Sequence, residues 1–154
     1  MKWSEKLEER NKLWKARHDV HYAVKRLKPG HSIIITYICV LISQISTIIS
    51  FTKNLLNKAG ILHLLVDHIG DGNFHALLIV DPDNEEEVEK VKEAANRMAL
   101  QAIRLGGTCT GEHGVGIGKK SLLEHECGEI GLSLMRSIKS VVDPFNIMNP
   151  GKLL

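Results

Sequence analysis

The apolar positions of this chain change period several times, and each change marks an element. Leu13, Ala16, Val20, Ala23, Val24 and Leu27 recur at three-and-four spacing, which predicts an amphipathic helix ending at Pro29-Gly30. An uncharged, isoleucine-rich run from Ile33 to Phe51 follows. Its length would allow a membrane span. However, Thr36, Ser43, Gln44, Ser46, Thr47 and Ser50 make it amphipathic, and no aromatic belt flanks it. A buried β-branched strand over about 33–41, running into a helix over about 45–58, fits better. Residues 61–67 and 74–80 read as two further strands, with Gly70-Asp71-Gly72-Asn73 as the turn between them.

Beyond the capping cluster Asp81-Pro82-Asp83-Asn84, the acidic residues Glu85, Glu86 and Glu87 open a helix at its positive end. Val88, Val91, Ala95, Met98 and Ala102 give this helix, about 84–105, an apolar stripe, and Gly106-Gly107 closes it. A glycine-rich loop spans 106–118. A last helix, about 120–142, carries Leu123, Cys127, Ile130, Leu134, Ile138 and Val141 on one face and stops before Pro144. Helices and strands mix without a regular βαβ period, so the expected fold class is α+β. The expected architecture is a small antiparallel sheet backed by the helices at about 84–105 and 120–142.

Composition narrows the function classes. The 154 residues fit one domain, 1–154, with a core able to fold alone. Hydrophobic residues at 44% and charged residues at 25% exclude a disordered or collagen-like chain. Aromatics are scarce, and a net charge of +2 implies neither a nucleic-acid partner nor a membrane-surface one. Nine Lys/Arg against four Asp/Glu in the first thirty residues suit a solvated helix face. No apolar signal core follows Met1, and Glu5, Glu8 and Glu9 argue against a transit peptide. Cys39, Cys109 and Cys127 are odd in number and form no C-x-x-C pair, which argues against a disulfide scaffold or zinc finger and favours a reducing compartment.

The candidate chemistry lies in two segments. In His68-Ile69-Gly70-Asp71-Gly72-Asn73-Phe74-His75, chain reversal brings two imidazoles to one side, and the glycines permit the backbone angles of the turn. Two neutral imidazoles supply two ligands of a divalent metal, and Glu112 supplies a carboxylate for a third. The same spacing equally suits one core histidine and one that caps the turn. Gly111-Glu112-His113-Gly114-Val115-Gly116-Ile117-Gly118-Lys119-Lys120 imitates nucleotide motifs but matches none. A P-loop needs Gly at 113 and Ser or Thr at 120, and a dinucleotide fingerprint needs Gly at 119. His125-Glu126 does not open a zincin motif, since Glu occupies position 129. With Glu112 on a metal, His113 is free to act as a base; otherwise it is a surface loop histidine. Arg17 has the geometry to clamp a carboxylate, or to serve as an ordinary surface arginine.

Trp14-x-x-Arg17, His68-x-Gly-Asp-Gly-Asn-x-His75, Gly107-Thr108-Cys109-Thr110-Gly111-Glu112-His113-Gly114 and the ending Asp143-Pro144 to Met148-Asn149-Pro150-Gly151-Lys152 occur in that order. Together they resemble the C-terminal domain of FAD-linked oxidases, over about 11–30 and 58–154. Within that family they are most similar to the mitochondrial, cytochrome-linked D-lactate dehydrogenases. The resemblance implies a cap-like substrate domain of an FAD-dependent D-2-hydroxyacid dehydrogenase. Such an enzyme oxidises D-lactate or a related 2-hydroxy acid to the 2-oxo acid, in mitochondria, with an electron acceptor such as cytochrome c. It further implies His68, His75 and Glu112 as ligands of Zn²⁺ or Mn²⁺, His113 as catalytic base contacting substrate, and Arg17 as the substrate-carboxylate clamp. Asn149 and Lys152 would lie in a tail approaching the flavin. The FAD-binding half is absent, so this chain alone is expected to be inactive. Residues 31–57 diverge: the family pattern has lysine at Ser32, aspartate at Tyr37, and prolines at Leu41 and Ser46. The alternative reading is a non-catalytic, metal-binding remnant of the same fold.

Overall fold

Alternation along three strands builds a single antiparallel sheet. The structure, a computed structural model, describes residues 5–154, apart from the side chains of Ala16, Arg17, Val20, His21, Asp67 and Ile69. Its elements in chain order are α1 (Leu7–Leu27), β1 (Ser32–Cys39), α2 (Ile45–Lys58), β2 (His63–His68), β3 (Asn73–Val80), α3 (Glu85–Arg104) and α4 (Lys120–Val142). The strand order is β1-β3-β2, and β3 runs antiparallel to both neighbours. β1 and β2 are therefore parallel, joined by α2 across the central strand.

Both faces of the sheet are covered, which explains why β3 reads as an almost unbroken apolar run. On one face Ile38, Phe74, Ala76, Leu78 and Val80 pack against Ile45, Ile48, Leu55 and Leu56 of α2 and Val91, Ala94, Met98 and Ala102 of α3. On the other, Val24 of α1 covers Leu77 and Ile79, flanked by Ile33, Ile35 and Val66. α3 starts where its cap cluster predicts: the Asn84 side chain accepts a hydrogen bond from the Glu87 backbone N–H at 3.1 Å.

Three expectations are corrected. α1 begins at Leu7, and of its apolar stripe Val24 is buried whereas Leu13 and Leu27 are exposed. The second helix backing the sheet is α2, not α4. In its first turns α4 packs Leu122 against Ala99 and Cys109, and beyond them Leu132 is its one further buried side chain. At Gly128 its backbone leaves the helical region, with φ 70° and ψ 169°. Of its expected core face, Ile130, Leu134, Ile138 and Val141 are exposed, Ile130 at 88%. Periodicity states which side of a helix is apolar, but cover must come from another element, and no described element stands there. Among the described residues no helix is long and apolar enough to cross a membrane.

Candidate functional site

Strand register places the functional side chains before any loop is considered. His75 of β3 faces Tyr37 of β1 and Val66 of β2, and His68 of β2 faces Asn73 of β3. Because side chains alternate, Tyr37, His68, Asn73 and His75 share the face opposite the main core. The two histidine rings lie 5.8 Å apart at 86°, so the turn does bring both imidazoles to one side. Gly72 makes this turn possible: its φ is 72°, its carbonyl accepts from the Val40 N–H at 2.9 Å, and a Cβ would collide with the Val40 carbonyl oxygen.

The glycine loop reaches the same face through one backbone bridge. Cys39 and Thr108 exchange N–H···O bonds of 3.1 and 2.8 Å, tying the loop after α3 to the end of β1. Gly111, with φ 52°, sits against Tyr37 and Asn73, where its missing side chain permits the approach. The next two residues then fall on the histidines. Asn73 Nδ2 donates to Glu112 Oε2 at 2.6 Å. Glu112 Oε1 lies 3.3 Å from His113 Nε2 and 3.9 Å from His75 Nε2. The Tyr37 ring packs on His113 at 3.7 Å with a 41° tilt and meets His75 edge-on at 5.2 Å. Lys119 donates to the Tyr37 carbonyl at 3.3 Å and to the Cys109 carbonyl, with its ammonium 5.3 Å from the Tyr37 ring.

Electrostatics follow from these contacts. A backbone N–H bond holds the Glu112 carboxyl below its usual range against the upward push of burial, and the Asn73 amide, His75 and His113 add to the lowering. Glu112 is thus an anion poised between two imidazoles. Burial lowers Lys119, and burial first, then the neighbouring Glu126, pushes the Cys109 thiol up to about 11, so this cysteine is no thiolate nucleophile.

Of the residues singled out from sequence, His68, His75, Glu112 and His113 meet at one end of the sheet. The Arg17 side chain lies outside the described residues. Asn149 and Lys152 stand in the exposed tail after α4, where the Lys152 N–H bonds the Asn149 carbonyl, and neither takes part in the cluster's hydrogen bonds or ring contacts. Asn73 and Lys119 were not singled out, although Asn73 shares a strand face with His75 two residues on. Two imidazoles and a carboxylate are the donor set of a catalytic divalent-metal centre, and the Asn73 bond to Glu112 is the orienting contact such ligands need. The donor chemistry fits. The spacing is more open: among the described residues no three His, Cys, Asp or Glu side chains stand close enough to enclose an ion.

Known proteins match this chain along nearly its whole length. The chain is 45% identical over 152 residues to a protein of Danio rerio named probable D-lactate dehydrogenase, mitochondrial, covering 99% of this chain and 31% of that one. It is 41% identical over 152 residues to the mitochondrial D-lactate dehydrogenase [cytochrome] of Arabidopsis thaliana, covering 99% and 27%. A D-2-hydroxyglutarate dehydrogenase of Xanthomonas citri matches at 34% over 146 residues, covering 92% and 30%. The chain therefore spans less than a third of the length of these relatives. Residues 1–153 match the family described as FAD linked oxidases, C-terminal domain, and the chain belongs to that family.

Proposed function

We propose that this chain carries the substrate-handling part of an FAD-dependent D-2-hydroxyacid dehydrogenase, with D-lactate as substrate. The observation that carries the reading is the convergence of Asn73, His75, Glu112 and His113 from a strand and a distant loop. His68, His75 and Glu112 would hold a Zn²⁺ or Mn²⁺ ion. When bound, the cation supplies a Lewis acid for the substrate hydroxyl, and FAD supplies a ring that accepts hydride. The chain's own part is positioning and proton transfer. His113 takes the hydroxyl proton, and the Glu112 carboxylate, 3.3 Å from its Nε2, stabilises the imidazolium that results. Asn73 fixes Glu112 for that task. Arg17 would clamp the substrate carboxylate, and Asn149 and Lys152 would approach the flavin from the exposed tail. A mitochondrial location and an acceptor such as cytochrome c are supported by the names of the relatives.

Calorimetric titration of the purified chain with Mn²⁺ and with Zn²⁺ tests the assignment. His75→Ala should abolish binding, and His113→Ala should leave it nearly intact. Equal loss in both variants would overturn the division of roles. One observation favours the alternative of a non-catalytic, metal-binding remnant: Tyr37, where the family pattern carries aspartate, packs directly against the His113 ring. Under that reading the cation binds, but a fusion restoring the flavin-binding part oxidises no 2-hydroxy acid.

A further inference from the structure

Among the described residues no strand pairs along the outer edge of β1 from Ile33 to Tyr37, and a groove runs beside it. Along β1 the backbone groups point alternately toward and away from β3. The Val40 N–H turns inward to Gly72, while Cys39 turns outward to Thr108. By alternation Ile33, Ile35 and Tyr37 also turn outward. Lys119 takes the Tyr37 carbonyl. The N–H groups of Ile33, Ile35 and Tyr37 and the carbonyls of Ile33 and Ile35 have no hydrogen-bond partner among the described residues. Facing them is a groove of about 280 Å³ between β1 and α3, floored by Ala95, Ala99 and Leu122 and rimmed by Asn96.

An edge with an apolar floor and unpaired amides is shaped for a strand. Among the described residues the order β1-α2-β2-β3-α3 is that of a split βαβ fold without its last strand. At the place of that strand the chain makes one bridge, Cys39 to Thr108, and then leaves into the loop that carries Glu112 and His113. We propose that the groove takes an extended segment from the part of the family polypeptide that this chain does not cover. The segment would pair with Ile33–Tyr37 and set alternate apolar side chains over Ala95 and Ala99. The length of the opening argues for this occupant over a second copy. Lys119 and Thr108 block β1 from the Tyr37 carbonyl onward, so only the Ile33 and Ile35 amides and carbonyls and the Tyr37 N–H remain, and only a few hydrogen bonds, each of modest net worth, can form. So short a pairing needs the high effective concentration of a covalently linked segment. The relatives extend well beyond the match, since this chain spans 25–31% of them.

Amide hydrogen exchange on two proteins tests this. One is the chain alone; the other is the chain fused behind the portion of the Danio rerio relative outside the match. In the fusion the Ile33, Ile35 and Tyr37 amides should exchange at least tenfold more slowly than in the chain alone. Ile35→Pro deletes an outward N–H without removing a β1–β3 bond, and in the fusion it should return Ile33 and Tyr37 to the fast rates. Asn96→Trp blocks the groove from the exposed side of α3 and should do the same. Equal rates in the two proteins, slow rates that survive both variants, or slowing in the chain alone that rises with its concentration would each overturn the proposal. The last would identify a second copy as the occupant. Metal titration and turnover read the opposite face of the sheet, so their failure would leave this result standing.

Discussion

Asp143 shows how much of the molecule's local order hangs on single polar side chains. It is 8% exposed and its carboxylate accepts from the backbone N–H groups of Ile147 and Met148 at 3.0 and 2.9 Å, as well as from Lys139. The turn after α4 is in effect wrapped around this one anion. The bond from Lys139 first, and then those from Met148 and Ile147, hold its carboxyl below the ordinary 3.8, against the upward push of burial. A carboxyl depressed in the folded state contributes stability above its unfolded value, and that contribution is lost as pH falls through the folded value. Asp143→Asn should therefore lower the melting temperature at pH 7, and the gap should close as pH drops below 3.8. A gap that stays constant in a melting series from pH 7 to pH 2 would show that the charge is not what holds the turn.

At the scale of elements, legibility depended on whether an element's partner lies in the same chain. α2 and α3 were readable almost to the residue, because their apolar stripes meet β1 and β3 inside this sequence. β2 and β3 were equally readable, and the shared face of His68 and His75 follows from the turn between them. The second half of α4 was not readable, since a regular stripe looks the same whether or not something covers it. Nor could spacing show that Glu112 and His113 reach the sheet: that rests on the Cys39–Thr108 bridge and on the close fit of Gly111, both long-range. The difference has a measurable consequence. Met98 of α3 is fully buried, so Met98→Ala should cost about 2–5 kcal/mol in urea unfolding. Ile138 of α4 is 56% exposed, so Ile138→Glu should stay within about 0.5 kcal/mol. A large loss at Ile138 would mean that its face is covered in solution.

At the scale of the whole molecule, the sheet divides its work between two faces and an edge. One face holds the core; the other holds apolar packing under Val24 at one end and the histidine cluster at the other. The glycine loop closes over that cluster from α3, held by the bridge at Cys39 and the Asn73–Glu112 bond. On the proposed reading this site binds and orients a hydroxy acid and accepts its proton, yet the oxidation also moves a hydride. The hydride acceptor is the flavin ring, and the protein's contribution is to place it against the substrate within reacting distance. In this chain the groups proposed to face a flavin, Asn149 and Lys152, stand in an exposed tail apart from the hydrogen bonds of the cluster. Among the described residues no hydrogen bond or ring contact links that tail to His113. The purified chain supplied with FAD, Mn²⁺ or Zn²⁺ and D-lactate should therefore give no turnover with an artificial electron acceptor. The fusion to the flavin-binding portion of a relative should oxidise D-lactate, and should lose that activity in His113→Ala while keeping its metal. Turnover by the isolated chain would show that the site assembles its own flavin geometry and would overturn this division of labour.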